Sequence, residues 1–393
     1  MIPRLLPPIK VGDLPLAFLS RGSVSAFEAA FARLAKTKYA IAFPYGRTAL
    51  LCLLEALGLN ERKIICPSYT CVVVPHAVSY SNNEPVFVDC AEDSYLMDME
   101  LASEAVGTEP SALIATSLYG EPISVDAVSG FCREHPNVEV IQDCAHSFFC
   151  EDAGRAVHKH GRAAIYGLNI SKTVTSVFGG MVTTDDEQLA THLRAIQRRK
   201  LKPATLNKDI SRRLYFLSSR IALSPLLYQA VRGLSSSGLL GRFVNYYSEA
   251  LIDMPNDYLV QLTDFEAAIG TLVCTRYHDA IAHRRMIAAR YNDGMSDCEH
   301  LRIPDLNPGH TWSHYTVATE NASKYTKAAL RSKVELGRVL EYFIPDMPAY
   351  ANHRHLDRNI ARGYKNKILN LPVHMEVTNQ IADTVISIMR VCE

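Results

Sequence analysis

Ile165-Tyr166-Gly167-Leu168-Asn169-Ile170-Ser171-Lys172-Thr173-Val174-Thr175-Ser176-Val177-Phe178-Gly179-Gly180-Met181-Val182-Thr183-Thr184 sets one lysine between two apolar, strand-like runs. The Gly179-Gly180 pair precedes the second run, at a point where the chain must turn tightly. Lys172 therefore falls on a connection, from which a rigid scaffold can hold a reactive side chain at a cleft. Partial burial disfavours the ammonium form, and the free amine is a nucleophile toward carbonyl carbon. Outward from this stretch, the runs Ile64-Ile65-Cys66, Val86-Phe87-Val88, Ala112-Leu113-Ile114-Ala115, Val140-Ile141-Gln142 and Ala164-Ile165-Tyr166 alternate with helix-period segments. Such alternation predicts an α/β fold, a predominantly parallel sheet with helices on both faces. Ligands of these sheets bind outside the carboxyl ends of the strands, and Asp143 stands at such an end.

Two further stretches narrow the chemistry. Val138-Glu139-Val140-Ile141-Gln142-Asp143-Cys144-Ala145-His146 reads as a buried strand ending in an acid, with an imidazole three residues on. A carboxylate there suits pyridoxal phosphate, whose ring nitrogen must stay protonated for the ring to withdraw electrons. Upstream, Tyr45-Gly46-Arg47-Thr48-Ala49-Leu50 leads into a helix pattern stopped at Gly58, and a helix start rich in small residues can offer backbone N–H groups to a phosphate.

With these landmarks in order, the sequence resembles the fold-type I pyridoxal phosphate enzymes, specifically the DegT/StrS-type family of sugar aminotransferases. The resemblance is carried by Gly46-Arg47-Thr48-Ala49-Leu50, Pro67-Ser68-Tyr69-Thr70, Pro85-Val86-Phe87-Val88-Asp89, Leu118-Tyr119-Gly120, Asp143-Cys144-Ala145-His146, and Lys172 followed by Gly179-Gly180. It covers residues 20–200 most closely and resumes at Asp264-Phe265-Glu266-Ala267-Ala268-Ile269-Gly270. It implies a sheet of seven-stranded type plus a smaller C-terminal α+β domain. By resemblance Lys172 carries pyridoxal 5'-phosphate and moves the proton at the substrate carbon, Asp143 pairs with the ring nitrogen, and His146 lies near the ring. Gly46, Arg47 and Thr48 match the phosphate cradle, with the Thr48 hydroxyl as an added donor.

The chain departs from the family pattern at four places. Cys71 stands where an aromatic residue often stacks on the ring, and Gly167 where a phosphate-binding serine is usual. Leu259 and Gln261 align with an Asn and an Arg that usually reach the partner subunit's site. The resemblance then implies that phosphate binding is redistributed, to Asn169 or Ser171, with Tyr69 or His146 covering the ring. The lysine disfavours the family's dehydratase branch, where a histidine is expected.

The implied function is a transaminase moving an amino group from glutamate or glutamine onto a keto group of a nucleotide-activated sugar, in surface-glycan or secondary-metabolite assembly. Two alternatives stand beside it: a pyridoxal phosphate enzyme for a more lipophilic carbonyl compound, and a cofactor-binding regulatory protein without turnover. Retention of Asp143 with Lys172 argues against the last.

Composition excludes other classes. The 41 basic and 41 acidic residues cancel, so no global field favours nucleic acid. Cysteines are scattered singly without a CxxC pair, and His158-Lys159-His160 and His353-Arg354-His355 lack a wider metal-ligand pattern and read as solvated loops. Met1-Ile2-Pro3-Arg4-Leu5-Leu6-Pro7-Pro8 is too short and proline-broken for a signal peptide, so a cytoplasmic location is expected. The domains are expected as an arm at 1–22, a large cofactor-binding domain at 23–253, and a linking helix with a small domain at 254–393. Relative to the family, 201–253 reads as an enlarged helical insertion. Arg194, Arg198, Arg199, Lys200, Lys202, Lys208, Arg212 and Arg213 gather beside the apolar run from Leu214 to Val231, which Arg220 and Pro225 interrupt. Two readings stay open for it: a hairpin packed on the enzyme's own homodimer, or a basic and apolar surface in peripheral contact with an anionic membrane through 201–250.

Overall fold

A computed structural model describes residues 1–107, 110–224, 227–229 and 251–391. Its main sheet is built from β1 (Tyr39–Phe43), β2 (Lys63–Pro67), β3 (Glu84–Val88), β4 (Pro110–Thr116), β5 (Glu139–Asp143), β8 (Ala163–Gly167), β9 (Gly180–Thr184) and the short β11 (His355–Leu356), while β6 (Glu151–Asp152) and β7 (Arg155–Ala156) form a separate hairpin. Their order is β1-β9-β8-β5-β4-β2-β3-β11, and β9 alone runs against its neighbours. Seven strands of this sheet thus come from one continuous stretch of chain, as the resemblance implies. The eighth is supplied by the C-terminal part, so His355 pairs with Phe87 rather than lying in a free loop. Segments around Leu340, Phe343, Tyr350 and Tyr364 pack into the same core as β2 and the helix Gly46–Ala56.

Helix boundaries follow local chemistry. Ser23 caps Val24–Ala35 by accepting from the Ala26 N–H, and Lys36 ends it in the left-handed region at φ 54°. Phe27 and Phe31 of this helix are fully buried, and Gly270 lets Phe27 lie flat on the helix Asp264–Thr275, where a Cβ would come 2.5 Å from the ring. Each such phenyl contributes about 1.5–3 kcal/mol through burial. A separate apolar core gathers β10 (Tyr315–Ala318) and β12 (Ile368–Leu371) with the helices Tyr277–Met295, Ala322–Arg331 and Asn379–Val391. The N-terminal arm is stitched to that core: the Glu335 N–H donates to the Ile2 carbonyl, and His374 bonds the Pro3 carbonyl.

The basic stretch is largely ion-paired. Arg194 is held by Glu28, Arg199 and Lys200 by Glu55, Lys208 and Arg212 by Asp257, and Arg213 by Asp209. Six of the eight basic residues of this stretch thus meet the protein's own carboxylates, and Arg198 and Lys202 are exposed. The helix Leu206–Ala222 is turned inside out: Lys208, Arg212, Phe216 and Arg220, four residues apart, face the protein, while Leu206, Ile210, Leu214 and Ile221 face solvent. Within the apolar run, Leu217 packs inward and Leu227 is exposed; Pro225, Val231 and the residues on to 250 lie outside the described residues. Among the described residues no helix is long and apolar enough to cross a membrane.

Candidate functional site

β5 and β8 run parallel and adjacent, with Asp143 opposite Ile165, so their carboxyl ends deliver Asp143 and the lysine loop to the same edge of the sheet. After β8 the chain makes a closed loop before returning as β9. The Leu168 N–H donates to the Gly179 carbonyl (2.9 Å), and the Thr175 hydroxyl and Ser176 N–H both donate to the Leu168 carbonyl (3.0 and 3.1 Å). Gly179 sits at φ +140°, a conformation that favours glycine, which accounts for the first residue of the glycine pair. Within the loop Asn169 Oδ1 accepts from the Ser171 N–H (3.1 Å) and hydroxyl (2.6 Å), and the Lys172 N–H donates to the Asn169 carbonyl (3.0 Å). Asn169 and Ser171 therefore brace the turn that carries Lys172.

Asp143 is 3 % exposed, and its Oδ1 accepts the Ala145 N–H at 3.0 Å. Burial pushes its pKa up, opposed by that N–H, by Lys172 and by the Thr116 hydroxyl. Burial pushes the Lys172 ammonium down, opposed by Cys71 and Asp143. The two groups thus share one desolvated site, which raises the fraction of free amine and leaves a buried carboxylate suited to a cationic partner. Cys71 is half-buried beside the lysine. At Gly167 a Cβ would meet Ala145 Cβ at 3.7 Å and Lys172 Cε at 3.9 Å, ordinary contact distances.

His146 lies over the same site with its Nδ1 buried and unpartnered. Burial, with the nearby charge of Lys172, holds its pKa well below the usual histidine value, so the ring is neutral. It stacks on His314, with centroids 5.2 Å apart and planes 30° apart, and Tyr119 touches both rings. Nothing in the local sequence marks His314 as a site residue. Tertiary contacts bring it in: the His314 N–H donates to the Tyr119 carbonyl, buried Arg284 donates to the carbonyls of Trp312 and Ser313, and Gly120 at φ +104° packs on Trp312 where a Cβ would come 2.5 Å from its nitrogen. The Leu118-Tyr119-Gly120 landmark was the available signal, but nothing local to it names its partner.

The start of the helix Gly46–Ala56 completes the site. A Cβ on Gly46 would lie 2.9 Å from Gly167 Cα, and one on Gly180 would lie 2.3 Å from the Tyr45 carbonyl oxygen, so the helix start is wedged between β8 and β9. The Tyr45 side chain does not cap it, and the first turn carries the backbone N–H groups of Gly46, Arg47 and Thr48. The Thr48 hydroxyl, an expected donor to phosphate, is fully buried and donates to the Tyr258 carbonyl (3.0 Å). Arg47 is ion-paired with Asp253 at 3.6 Å. Tyr69 is also committed elsewhere: it is 1 % exposed, its hydroxyl is 2.8 Å from that of Tyr119, and it backs that ring. Lys172, Asp143, His146, Cys71 and the Gly46 helix start are brought together, whereas Tyr69 and Thr48 stand behind them.

A lysine with a depressed pKa, a buried carboxylate and an uncapped helix start are what a protonated pyridine bearing an aldehyde and a phosphate requires, so the residues present fit pyridoxal 5'-phosphate. Comparison with known proteins agrees. The sequence pattern of the DegT/DnrJ/EryC1/StrS aminotransferase family matches residues 17–213 and 221–390. The spore coat polysaccharide biosynthesis protein SpsC of Bacillus subtilis is 25 % identical over 96 % of this chain and 91 % of its own. A GDP-perosamine synthase of Escherichia coli O157:H7 is 24 % identical over 92 % of this chain and 88 % of its own. The crystal structure of the aminotransferase TlmJ from Streptoalloteichus hindustanus superposes with a TM-score of 0.76 at 20 % identity, covering 100 % of this chain and 98 % of that one. The chain belongs to the DegT/DnrJ/EryC1/StrS aminotransferase family, and pyridoxal 5'-phosphate is its cofactor.

Proposed function

We propose that this aminotransferase moves an amino group from glutamate or glutamine to a keto group of a nucleotide-activated sugar, in the assembly of a surface glycan or a secondary metabolite. The observation that carries the reading is Lys172 set between buried Asp143 and the uncapped Gly46 helix start, in a chain that aligns over nearly its whole length with a GDP-perosamine synthase. When bound, the cofactor supplies an electron sink for the bond-breaking step. Lys172 holds it covalently through Nζ and, once released, takes and returns the proton at the substrate carbon, a task suited to an amine whose pKa burial has lowered. Asp143 keeps the ring nitrogen protonated. The N–H groups of Gly46, Arg47 and Thr48 hold the phosphate, and neutral His146 lies against the ring. A panel of nucleotide-linked ketosugars, incubated with glutamate or glutamine and read by mass spectrometry, should yield an aminosugar nucleotide and the matching keto acid. Turnover only of lipophilic ketones, with every ketosugar unchanged, would overturn the assignment.

The enzyme works as a two-fold homodimer in this proposal. Phe18 and Leu19 project into solvent from a short helix packed beside Leu206–Ala222, whose outer stripe of Leu206, Ile210, Leu214 and Ile221 is also exposed. An apolar surface of this kind marks an interface, and with the neighbouring cations paired inward it suits a second neutral copy better than an anionic surface. Sedimentation at micromolar concentration should show a dimer that Leu214→Glu combined with Ile210→Glu dissociates. A fully active wild-type monomer, or a dimer that remains intact while the wild type pellets with anionic vesicles, would contradict it.

A further inference from the structure

The inward face of the helix Leu206–Ala222 carries charge into the protein, and its centre is Arg212. The guanidinium donates through one terminal nitrogen to the Tyr45 hydroxyl (2.7 Å) and to Asp257 Oδ2 (2.5 Å), and its Nε lies 3.1 Å from Glu266 Oε1. The Tyr45 hydroxyl in turn donates to Asp257 Oδ1 at 2.5 Å. The flat face of the guanidinium stacks on Phe178, 4.1 Å from the ring centroid. Lys208 joins from one turn earlier, 3.6 Å from Asp257, and donates to the carbonyls of Val260 and Gln261. Two cations thus face two carboxylates, and the cluster is close to neutral.

The position of this cluster is informative. Tyr45 immediately precedes Gly46 and its two companions at the helix start, and Phe178 immediately precedes the Gly179-Gly180 pair that closes the Lys172 loop. Arg212 therefore grips both walls of the gap in which Gly46 is wedged against Gly167. Its terminal nitrogen donates to Asp257 and Tyr45, with Glu266 close by as a counter-charge, so it acts on the helix start by way of Tyr45. Gly167 offers no side-chain donor where the family pattern has a serine, so phosphate binding depends more heavily on exact placement of the backbone N–H groups.

We propose that Arg212 is a positioning residue which, through Tyr45, Asp257 and Phe178, fixes the phosphate-holding helix start relative to the Lys172 loop. The inference rests on the reading that the N–H groups of Gly46, Arg47 and Thr48 hold the cofactor phosphate. It gives the helix Leu206–Ala222 a task at the site in addition to whatever its outer face meets.

The test separates phosphate from ring. Apoprotein is titrated with pyridoxal 5'-phosphate and with pyridoxal, which lacks the phosphate, and the two dissociation constants are compared for wild type, Arg212→Met, Arg212→Lys and Tyr45→Phe. Wild type should strongly prefer the phosphorylated form. Arg212→Met should weaken pyridoxal 5'-phosphate by about 10- to 100-fold, the value of one or two hydrogen bonds to a charged group, and leave pyridoxal affinity unchanged. Tyr45→Phe, which removes one hydroxyl and keeps the ring, should show the same selective loss to a smaller extent, and Arg212→Lys should recover part of it. If Arg212→Met fails to fold, Tyr45→Phe decides alone. Equal weakening of both ligands, or none, overturns the proposal and leaves Arg212 a general stability element. A wild type without preference for the phosphorylated form overturns the phosphate cradle itself, and the inference with it.

Discussion

Replacing Lys172 by alanine is expected to abolish amino transfer, with kcat/KM lowered by at least about 10⁴-fold, because one side chain supplies both covalent capture of the cofactor and the proton transfer at the substrate carbon. The variant should fold as the wild type does, since Lys172 is held in its loop by its backbone N–H and its side chain makes no ion pair among the described residues. Burial lowers its pKa below the ordinary lysine value of 10.5, so the free amine persists at lower pH than for an exposed lysine. Capture of pyridoxal 5'-phosphate by wild-type apoprotein should therefore rise with pH and level off below 10.5. A Lys172→Ala protein that turns over at a tenth of the wild-type rate would remove the lysine from the chemistry.

Asp143→Asn is expected to produce the second-largest effect. The amide keeps the shape of the carboxylate and can still accept the Ala145 N–H, but it cannot balance a cationic ring nitrogen. Removing one partner of a buried charge pair costs about 3–5 kcal/mol, which corresponds to a loss of about 10²- to 10³-fold in rate or more. The apoprotein should respond in the opposite sense. Burial raises the pKa of Asp143 despite the Ala145 N–H, Lys172 and Thr116, so the folded apoprotein bears a desolvation cost that those partners only partly offset and that the amide lacks, and its melting temperature should hold or rise. A structural role alone would lower stability and activity together, and wild-type activity in Asp143→Asn would sink the assigned role.

The parts that could be read from the sequence are those set by local spacing. Apolar runs between helix-period segments locate six of the seven sheet strands between Tyr39 and Thr184, all but β1, because strand period and length are local properties. Asp143 and Lys172 were legible for the same reason, one at a strand's carboxyl end and the other just beyond a strand. Long-range pairing was not legible. His355–Leu356 is too short to announce itself and becomes a strand only because the exposed edge of β3 accepts it. His314 reaches His146 through a turn at Gly120 whose partner lies nearly two hundred residues downstream. The helix Leu206–Ala222 misled for a physical reason. Lys208, Arg212 and Arg220 at helical spacing ordinarily mark a solvated face, and here they mark the buried one because Asp257, Glu266 and Glu376 wait beneath it. The same inversion turns Lys208, Arg212 and Arg220 inward and leaves the apolar side of this helix outward.

The most direct test of the account is borohydride reduction of the purified holoenzyme followed by peptide mass mapping. The account predicts that the visible cofactor band is bleached and that the mass of reduced pyridoxal phosphate is fixed on the peptide containing Lys172, with none on the same peptide when an amino donor is added before reduction. Cofactor mass on any other lysine, or an unmodified Lys172 peptide from fully loaded protein, would contradict it.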